Sequence, residues 1–304
     1  MSTRKFLAFV LFLSAPFCLS AQEINRETLL GDIQYLSSDE LAGRKPLAQG
    51  NYAAAQFIRD RFKALGLTSQ YRNYTQFFSL KADRGRGEVI GQGSNIVGFL
   101  PGQESDKLIV VTAHYDHLGT SDAGQIYNGA DDNASGTAGL LALADYFMRH
   151  KPRASMLFVA LDAEEMGLQG ARALVRDFPF PLENVLVNIN MDMISRSEQN
   201  ELYAAGTRHY PQLERMLQIA SKDAGVKLRF GHDEPGTGAD DWTHASDHAA
   251  FHEKGIPFVY FGVEDHPDYH KPTDIFDHID VDFYYQAVRL IAKCVRELDE
   301  GLTE

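Results

Sequence analysis

Histidine and acidic side chains follow the first strongly apolar segment of the folded part of the chain. Residues 108–112 form a continuous apolar run, which predicts a strand buried on both faces, and the sequence AHYDH follows it. Side chains two residues apart in an extended chain share a face, so His114 and Asp116 can point the same way. A metal-ligating histidine and the carboxylate that orients it need that arrangement. A surface histidine beside an acid has the same local pattern, so the motif alone does not decide.

Two pairs of adjacent acids stand beside predicted helix starts. Asp131 and Asp132 lie in NGADDNASG, and Glu164 and Glu165 lie in DAEEMGLQG. Helix N-termini favour acidic residues and Asx caps, which is the structural alternative for both motifs. Neighbouring carboxylates exceed what a cap needs, however, and their mutual repulsion is costly in a buried site unless a cation offsets it. The pattern indicates that each pair contributes to a metal site.

Two further candidate ligands stand later in the chain. Asp192 interrupts an otherwise apolar strand pattern, and His270 lies in the proline-flanked sequence HPDYHKPTD. Imidazole and carboxylate ligands without cysteine suit catalytic zinc, with manganese and cobalt as alternatives. Two neighbouring ions need a bridging carboxylate and several further ligands. The set is sufficient for two ions and leaves one glutamate free as a base: His114, one of Asp131 and Asp132, one of Glu164 and Glu165, Asp192 and His270.

Apolar periodicity predicts the elements that must position these residues. Helices are predicted at 27–36, 52–65, 134–148, 168–175, 211–224, 244–254 and 282–298, and strands at 108–112, 156–161, 185–193 and 256–262. Alternating strands and helices predict a largely parallel sheet between two helix layers. Ligands of such sheets bind beyond the carboxyl ends of the strands, which is where the polar motifs stand.

Composition excludes several other classes of protein. The chain has 304 residues, 29 Lys and Arg against 42 Asp and Glu, and a formal net charge of -13. This acid surplus argues against nucleic acid or an anionic membrane surface as the main partner. The sequence contains no HExxH, Gly-x-Ser-x-Gly, P-loop or Cys-x-x-Cys motif. A serine hydrolase is therefore disfavoured.

The first 21 residues predict a cleavable signal peptide. Arg4 and Lys5 precede a short apolar run, and Leu19-Ser20-Ala21 ends the segment as a small-residue cleavage site. The run is too short to span a bilayer, and no later stretch is long and apolar enough for stable membrane insertion. The mature protein is therefore expected in the periplasm or outside the cell. Cys18 leaves a lipid tether open as an alternative.

The order and spacing of the motifs resemble the cocatalytic-zinc aminopeptidases of metallopeptidase family 28, from about residue 29 onward. The motifs that carry this resemblance are HYDHLG, NGADDNASG, AEEMGLQG, NMDM, SDHAAFHEKGIP and DYHKPTD. The resemblance implies a three-layer α/β/α sandwich with a central mixed, largely parallel sheet. It also implies a single catalytic domain over residues 22–304, since residues 67–94 are too few for an inserted domain.

The resemblance also implies a role for each candidate. His114 and Asp192 would bind one Zn²⁺, Glu165 and His270 the other, and Asp132 both. The peptide bond after Asp132 would be cis. By the same resemblance, Asp116 orients His114, and Glu164 is the general base acting on a metal-bridging water. The implied substrates are peptides with a free N-terminus, while the oligomeric state stays open.

Two rival functions share this fold. Glutaminyl cyclases use one zinc for acyl transfer, but they typically carry Trp where this chain has Tyr269. A non-catalytic binding protein on the same fold would usually have lost metal ligands, whereas this sequence contains every candidate metal ligand. Trp242, Tyr269 and Phe251 are the aromatic candidates for a substrate side-chain pocket, with a place in the core as the alternative.

Overall fold

The computed structural model describes residues 23–303, so the predicted signal peptide, its cleavage site at Ala21 and Cys18 lie outside the described part. The helices are α1 (Arg26–Leu36), α2 (Gln49–Leu65), the single turn α3 (Ala82–Gly85), α4 (Gly136–Arg149), α5 (Gln169–Arg176), α6 (Glu214–Ala220), α7 (His248–His252) and α8 (Val281–Thr303). The strands are β1 (Thr75–Lys81), β2 (Val89–Leu100), β3 (Glu104–His114), β4 (Gly119–Thr120), β5 (Ile126–Tyr127), β6 (Ala154–Leu161), β7 (Val185–Met191), β8 (Glu201–Ala205), β9 (Lys227–Phe230) and β10 (Phe258–Gly262).

Within these residues an eight-stranded sheet has the order β1-β2-β6-β3-β7-β10-β8-β9, and β4 and β5 form a separate pair. The central strands β6, β3, β7 and β10 run parallel, as do β8 and β9. The pairings of β1 with β2, β2 with β6 and β10 with β8 are antiparallel. The prediction of a mixed, largely parallel sheet is confirmed.

Helices cover both faces of the sheet, as the alternation of buried side chains in β3 shows. Ile109 and Val111 pack into a core that includes residues of α1, α2, α4 and α8. Leu108 and Val110 point into a second core with residues of α5 and α7. Every residue of β6 is buried, which is why residues 156–161 form an unbroken apolar run. The three-layer arrangement follows from these two cores.

The helix predictions were accurate for long periodic segments and too long for two others. The second helix is followed by Gly66, whose φ of 83° makes it a left-handed cap. Residues 211–213 form a 3₁₀ turn before the short α6. Residues 242–244 also form a 3₁₀ turn, with the Asp241 side chain accepting from the Thr243 backbone N–H, so α7 begins only at His248.

Four strands of the main sheet were missed: β1, β2, β8 and β9. The outer strands β1 and β9 are partly exposed, and glycines interrupt the pattern of β2, so these segments lack the continuous apolar signal of the centre. None of the helices between residues 23 and 303 combines the length and apolarity needed to cross a bilayer. The bounds of a single catalytic domain, 22–304, stay a prediction.

Candidate metal centre

The carboxyl ends of the parallel strands meet at one edge of the sheet, and the candidate ligands meet there with them. His114 is the last residue of β3, and Asp192 follows β7 directly. Glu164 and Glu165 follow β6, while Asp132 lies in the turn that leads into α4. His270 lies in the loop after β10. The sheet therefore brings together every metal ligand that the sequence predicts, although their roles stay predictions.

The first group of ligands is His114, Asp132 and Asp192, whose ligand atoms all lie within 4.8 Å of one another. His114 Nε2 is 3.2 Å from Asp192 Oδ1 and 3.4 Å from Asp132 Oδ1. Ligands on a tetrahedral zinc with bonds of about 2.0 Å lie about 3.3 Å apart, so these separations suit such an ion. Ser246 donates a hydrogen bond to the other oxygen of Asp192 at 2.7 Å, which holds the carboxylate in place.

The second group of ligands shares Asp132 with the first. Its members are His117, Asp132 and Glu165, again with their ligand atoms within 4.8 Å. His270 joins them, with Nε2 3.0 Å from Asp132 Oδ2 and 3.5 Å from Glu165 Oε2. Asp132 thus offers Oδ1 to the first group and Oδ2 to the second, which is the geometry of a bridging carboxylate.

His117 is the residue of this site that the sequence analysis did not predict. Its Nδ1 lies 2.8 Å from Glu165 Oε1 and 3.7 Å from Asp132 Oδ2. The motif HYDH contains it, but alternation along an extended strand assigns it to the face opposite His114. The strand ends at His114, so alternation no longer holds three residues later. The only sequence feature that could have indicated His117 is its place as the second histidine of the HYDH motif.

Asp131 performs a different task from its neighbour Asp132. Its Oδ1 accepts hydrogen bonds from the backbone N–H and the hydroxyl of Ser195, both at 2.7 Å, and its Oδ2 lies 3.1 Å from His266 Nε2. Asp274 in turn accepts the backbone N–H groups of both acids. Asp131 therefore fixes the loop and Asp132 faces the site, as the resemblance implies. The peptide bond from Asp132 to Asn133 is cis, also as implied.

Asp116 lies behind His114, with Oδ1 3.6 Å from His114 Nδ1. The carboxylate also accepts the backbone N–H groups of Glu164 at 3.0 Å and Glu165 at 3.3 Å. His114 Nδ1 lies 3.2 Å from the main-chain carbonyl oxygen of Asp116, so both the backbone and the carboxylate of Asp116 face the imidazole, and the orienting role stays a prediction. The carboxylate additionally holds the loop after β6. Both features follow from complete burial of the Asp116 side chain between the two strand ends.

The two adjacent glutamates differ sharply in acidity. Burial raises the pKa of Glu164 well above its ordinary value, although His114 opposes the shift. Burial also acts on Glu165, but hydrogen bonds with His117 and His270 outweigh it and hold the pKa of that carboxyl below its usual range. Neighbouring carboxyls with divergent pKa values are the pattern expected of an acid–base group beside a permanently ionised one. Glu164 therefore suits proton transfer, and Glu165 suits metal binding.

A small cavity of about 100 Å³ opens over these ligands. Trp242 and Tyr269 line it, as do Glu164 and Glu165. Trp242 is held by a parallel stack on His232, with ring centroids 3.7 Å apart. Phe251 does not line this cavity: it is a residue of α7 whose side chain is fully buried in the core, which is the alternative that the sequence left open.

The family model of peptidase family M28 matches residues 95–295, which contain all the ligands described above. This chain belongs to peptidase family M28. Among curated relatives, the M28 chain is 32% identical over 202 residues to the protein named aminopeptidase YwaD of Bacillus subtilis (strain 168), covering 62% of this chain. It is 28% identical over 189 residues to a probable zinc metalloprotease of Pyrenophora teres f. teres, covering 59% of this chain. The match spans only 41% of the length of each of these two relatives.

Solved structures place the M28 chain in the zinc-exopeptidase fold. BSAP, a zinc aminopeptidase from Bacillus subtilis, superposes with a TM-score of 0.73 over 90% of this chain and 95% of its own, at 18% identity. A glutaminyl cyclase from Bacteroides thetaiotaomicron gives the same TM-score of 0.73 over 90% of this chain and 98% of its own, also at 18% identity. The fold is therefore common to both enzyme classes, and the choice between them depends on the site.

The donor set of this M28 site fits divalent zinc. It consists of imidazole nitrogens and carboxylate oxygens. Cys294 is not part of this set, since it is buried in α8. Burial raises the pKa of Asp132, and it raises the pKa of Asp247, which directly precedes α7, to about 8. Both carboxylate oxygens of Asp247 and Nε2 of His117 are buried without a hydrogen-bond partner among residues 23–303. A cation in the site would offset the repulsion among these acids.

Proposed function

We propose that this chain is a zinc-dependent aminopeptidase that removes the N-terminal residue of peptides. The observation that carries the proposal is the pair of ligand groups joined through Asp132, since a shared carboxylate serves two neighbouring ions rather than one. Membership of peptidase family M28 supports it, as does the similarity to aminopeptidase YwaD of Bacillus subtilis. The single-zinc reaction of a glutaminyl cyclase would leave the second ligand group without a purpose.

Two zinc ions in these groups would supply a bridging water of lowered pKa and a Lewis acid for the scissile carbonyl. Glu164 lines the cavity above the ligands and is the residue that accepts the proton of the attacking water. The same carboxyl then donates that proton to the leaving amine. Asp116 fixes the backbone of Glu164, so the carboxyl keeps one position through both transfers.

The free N-terminus of the substrate accounts for exopeptidase action. Asp132, Glu164, Glu165, Asp192 and Asp265 all line the small cavity, so it concentrates negative charge and favours a substrate ammonium group. Trp242 and Tyr269 stand at its wall, where the side chain of the first residue would lie. A second cavity of about 720 Å³ shares Val263 and Asp265 with the first, and it offers room for further residues of the peptide.

The proposal is tested with the zinc-loaded protein and a panel of fluorogenic aminoacyl substrates, each paired with its N-acetylated form. We expect hydrolysis of free-amine substrates only, its loss with a chelator, and its recovery with added zinc. Absence of hydrolysis across the panel, or equal cleavage of acetylated substrates, would overturn the proposal. Formation of pyroglutamate from glutaminyl peptides without hydrolysis would favour the cyclase instead.

Export is the second part of the proposal. We propose that residues 1–21 direct the chain out of the cytoplasm and are then removed. N-terminal sequencing of protein recovered from the expressing cells should begin at Gln22. A modified Cys18 at the N-terminus would instead indicate a lipid tether.

A further inference from the structure

His117 belongs to the second ligand group, although it is not one of the five metal ligands that the motifs predict. Its side chain is completely buried, and its Nδ1 faces Glu165 Oε1 at 2.8 Å and Asp132 Oδ2 at 3.7 Å. The other ring nitrogen, Nε2, has no hydrogen-bond partner among residues 23–303. A buried imidazole that directs one nitrogen at two carboxylates, and leaves the other unpaired, is not explained as packing.

The surrounding backbone leaves room for this ring at a specific point. Gly129 has a φ of 58°, and a Cβ there would come within 2.5 Å of His117 Cδ2. Any larger residue at this position would therefore displace the imidazole. The main-chain N–H of His117 also donates to the carbonyl oxygen of Arg44, which anchors the residue from the opposite side. The close approach of Gly129 and the hydrogen bond to Arg44 thus fix the position of the imidazole beside the two carboxylates.

His117 and His270 approach the same pair of carboxylates. His270 Nε2 lies 3.0 Å from Asp132 Oδ2 and 3.5 Å from Glu165 Oε2, on the other oxygen of that glutamate. The two imidazole centroids are 5.9 Å apart. We propose that His117 is a fourth protein ligand of the second ion, beside Asp132, Glu165 and His270. The inference rests on the proposed metal centre.

This assignment makes the two ion positions unequal. The first position then has three protein ligands and the second has four, so the second offers an ion one more donor atom. The second ion should therefore bind more tightly and exchange more slowly than the first. Mild chelation should leave one ion per chain, held by the group that contains His117.

The test measures metal binding rather than turnover. Zinc isotherms, from competition with a chromophoric chelator, and Co²⁺ absorption spectra are recorded for the wild type, His117→Ala and His117→Asn. The asparagine amide can donate a hydrogen bond to Glu165 but is a poor zinc ligand, so it separates a ligand from a residue that only positions the carboxylate. His150→Ala, at the end of α4 and away from the site, is the matched control.

We expect the wild type to bind two ions with different affinities and the control to match it. His117→Ala and His117→Asn should both lose affinity for the tighter ion by at least about 10-fold and change the Co²⁺ spectrum. Recovery of the wild-type isotherm and spectrum by His117→Asn would overturn the inference, as would an unchanged isotherm in His117→Ala. A wild type that binds two ions yet hydrolyses no peptide would overturn the proposed function and leave His117 as a ligand. A wild type that binds no divalent ion would overturn both.

Discussion

The carboxylate of Asp116 accepts a hydrogen bond from the backbone N–H of Glu164 at 3.0 Å. The same carboxylate lies 3.6 Å from Nδ1 of His114, so one buried side chain contacts both a predicted metal ligand and the predicted general base. The two contacts come from different strand ends, β3 and β6. Asp116 therefore fixes the position of the predicted general base relative to that of the predicted metal ligand.

Replacement of Asp116 by Asn should weaken both metal binding and catalysis. The amide nitrogen cannot accept a hydrogen bond, so either Glu164 or Glu165 loses the acceptor of its buried N–H group. We expect zinc affinity and kcat/KM each to fall about 10- to 100-fold, as for other residues that orient metal ligands. Asp122→Asn, in an exposed loop, is the control. Values for Asp116→Asn within twofold of the wild type would contradict the orienting role.

The adjacent glutamates should respond differently to the same substitution. Glu164→Gln removes the proton acceptor but no metal ligand, so we expect zinc content to persist while kcat falls about 10²- to 10⁴-fold. Glu165→Gln should instead lose zinc from the second position. Metal content by mass spectrometry and steady-state kinetics on the same preparations measure both effects. Near-normal hydrolysis by Glu164→Gln would remove that residue from the role of general base.

Arg44 stabilises the loops that carry the candidate ligands. We expect its replacement to lower the free energy of unfolding. Its buried guanidinium donates hydrogen bonds to the carbonyl oxygens of Leu36, Tyr115, Asn128 and Gly129, which ties the end of α1 to the loop after β3 and to the loop before α4. Burial lowers the pKa of Arg44 to about 10, so it stays charged at neutral pH.

Arg44→Met leaves these buried carbonyls without a donor, and the free energy of unfolding should fall by at least about 3 kcal/mol. Denaturant titration of zinc-free protein gives this value without a contribution from metal binding. Arg72→Met, at an exposed position, should change it by no more than about 0.5 kcal/mol. A loss below about 1 kcal/mol in Arg44→Met would show that water or neighbouring donors replace the guanidinium.

His248 should make the zinc-free protein less stable in acid. Burial lowers the pKa of this imidazole to about 3, from an ordinary value of 6.5. Above pH 6.5 the residue is neutral in both states, and its contribution to stability is complete. As the pH falls from 6.5 towards 3, the unfolded chain takes up a proton that the folded chain does not, so stability decreases by up to about 1.4 kcal/mol per pH unit.

The measurement compares unfolding free energies of the wild type and His248→Gln between pH 7 and 4.5, both in the presence of chelator. The variant lacks the titrating group, so its stability should fall less steeply with acid than that of the wild type. His278→Gln, at an exposed position, should follow the wild-type curve. Parallel curves for the wild type and His248→Gln would show that His248 becomes protonated without unfolding.

The sequence was informative where burial imposes a continuous or periodic pattern. The central strands β3, β6, β7 and β10 are apolar because helices cover both of their faces, and the parallel order places their ends together. Polar residues after such strands therefore converge, and the fold brings together the ligands that the resemblance predicts, which are His114, Asp132, Glu165, Asp192 and His270.

Contacts between distant segments were decided only by the tertiary structure. The partly exposed strands β1 and β9 have no strong apolar signal, so only pairing with their neighbours reveals them. His117 faces Glu165 because the chain turns immediately after β3, and strand alternation cannot describe a turn. Arg44 is a single basic residue in the sequence, and its place beneath two loops depends on carbonyl groups more than 70 positions away. Residue types and their order determined which chemistry is present, whereas packing determined which side chains meet to perform it.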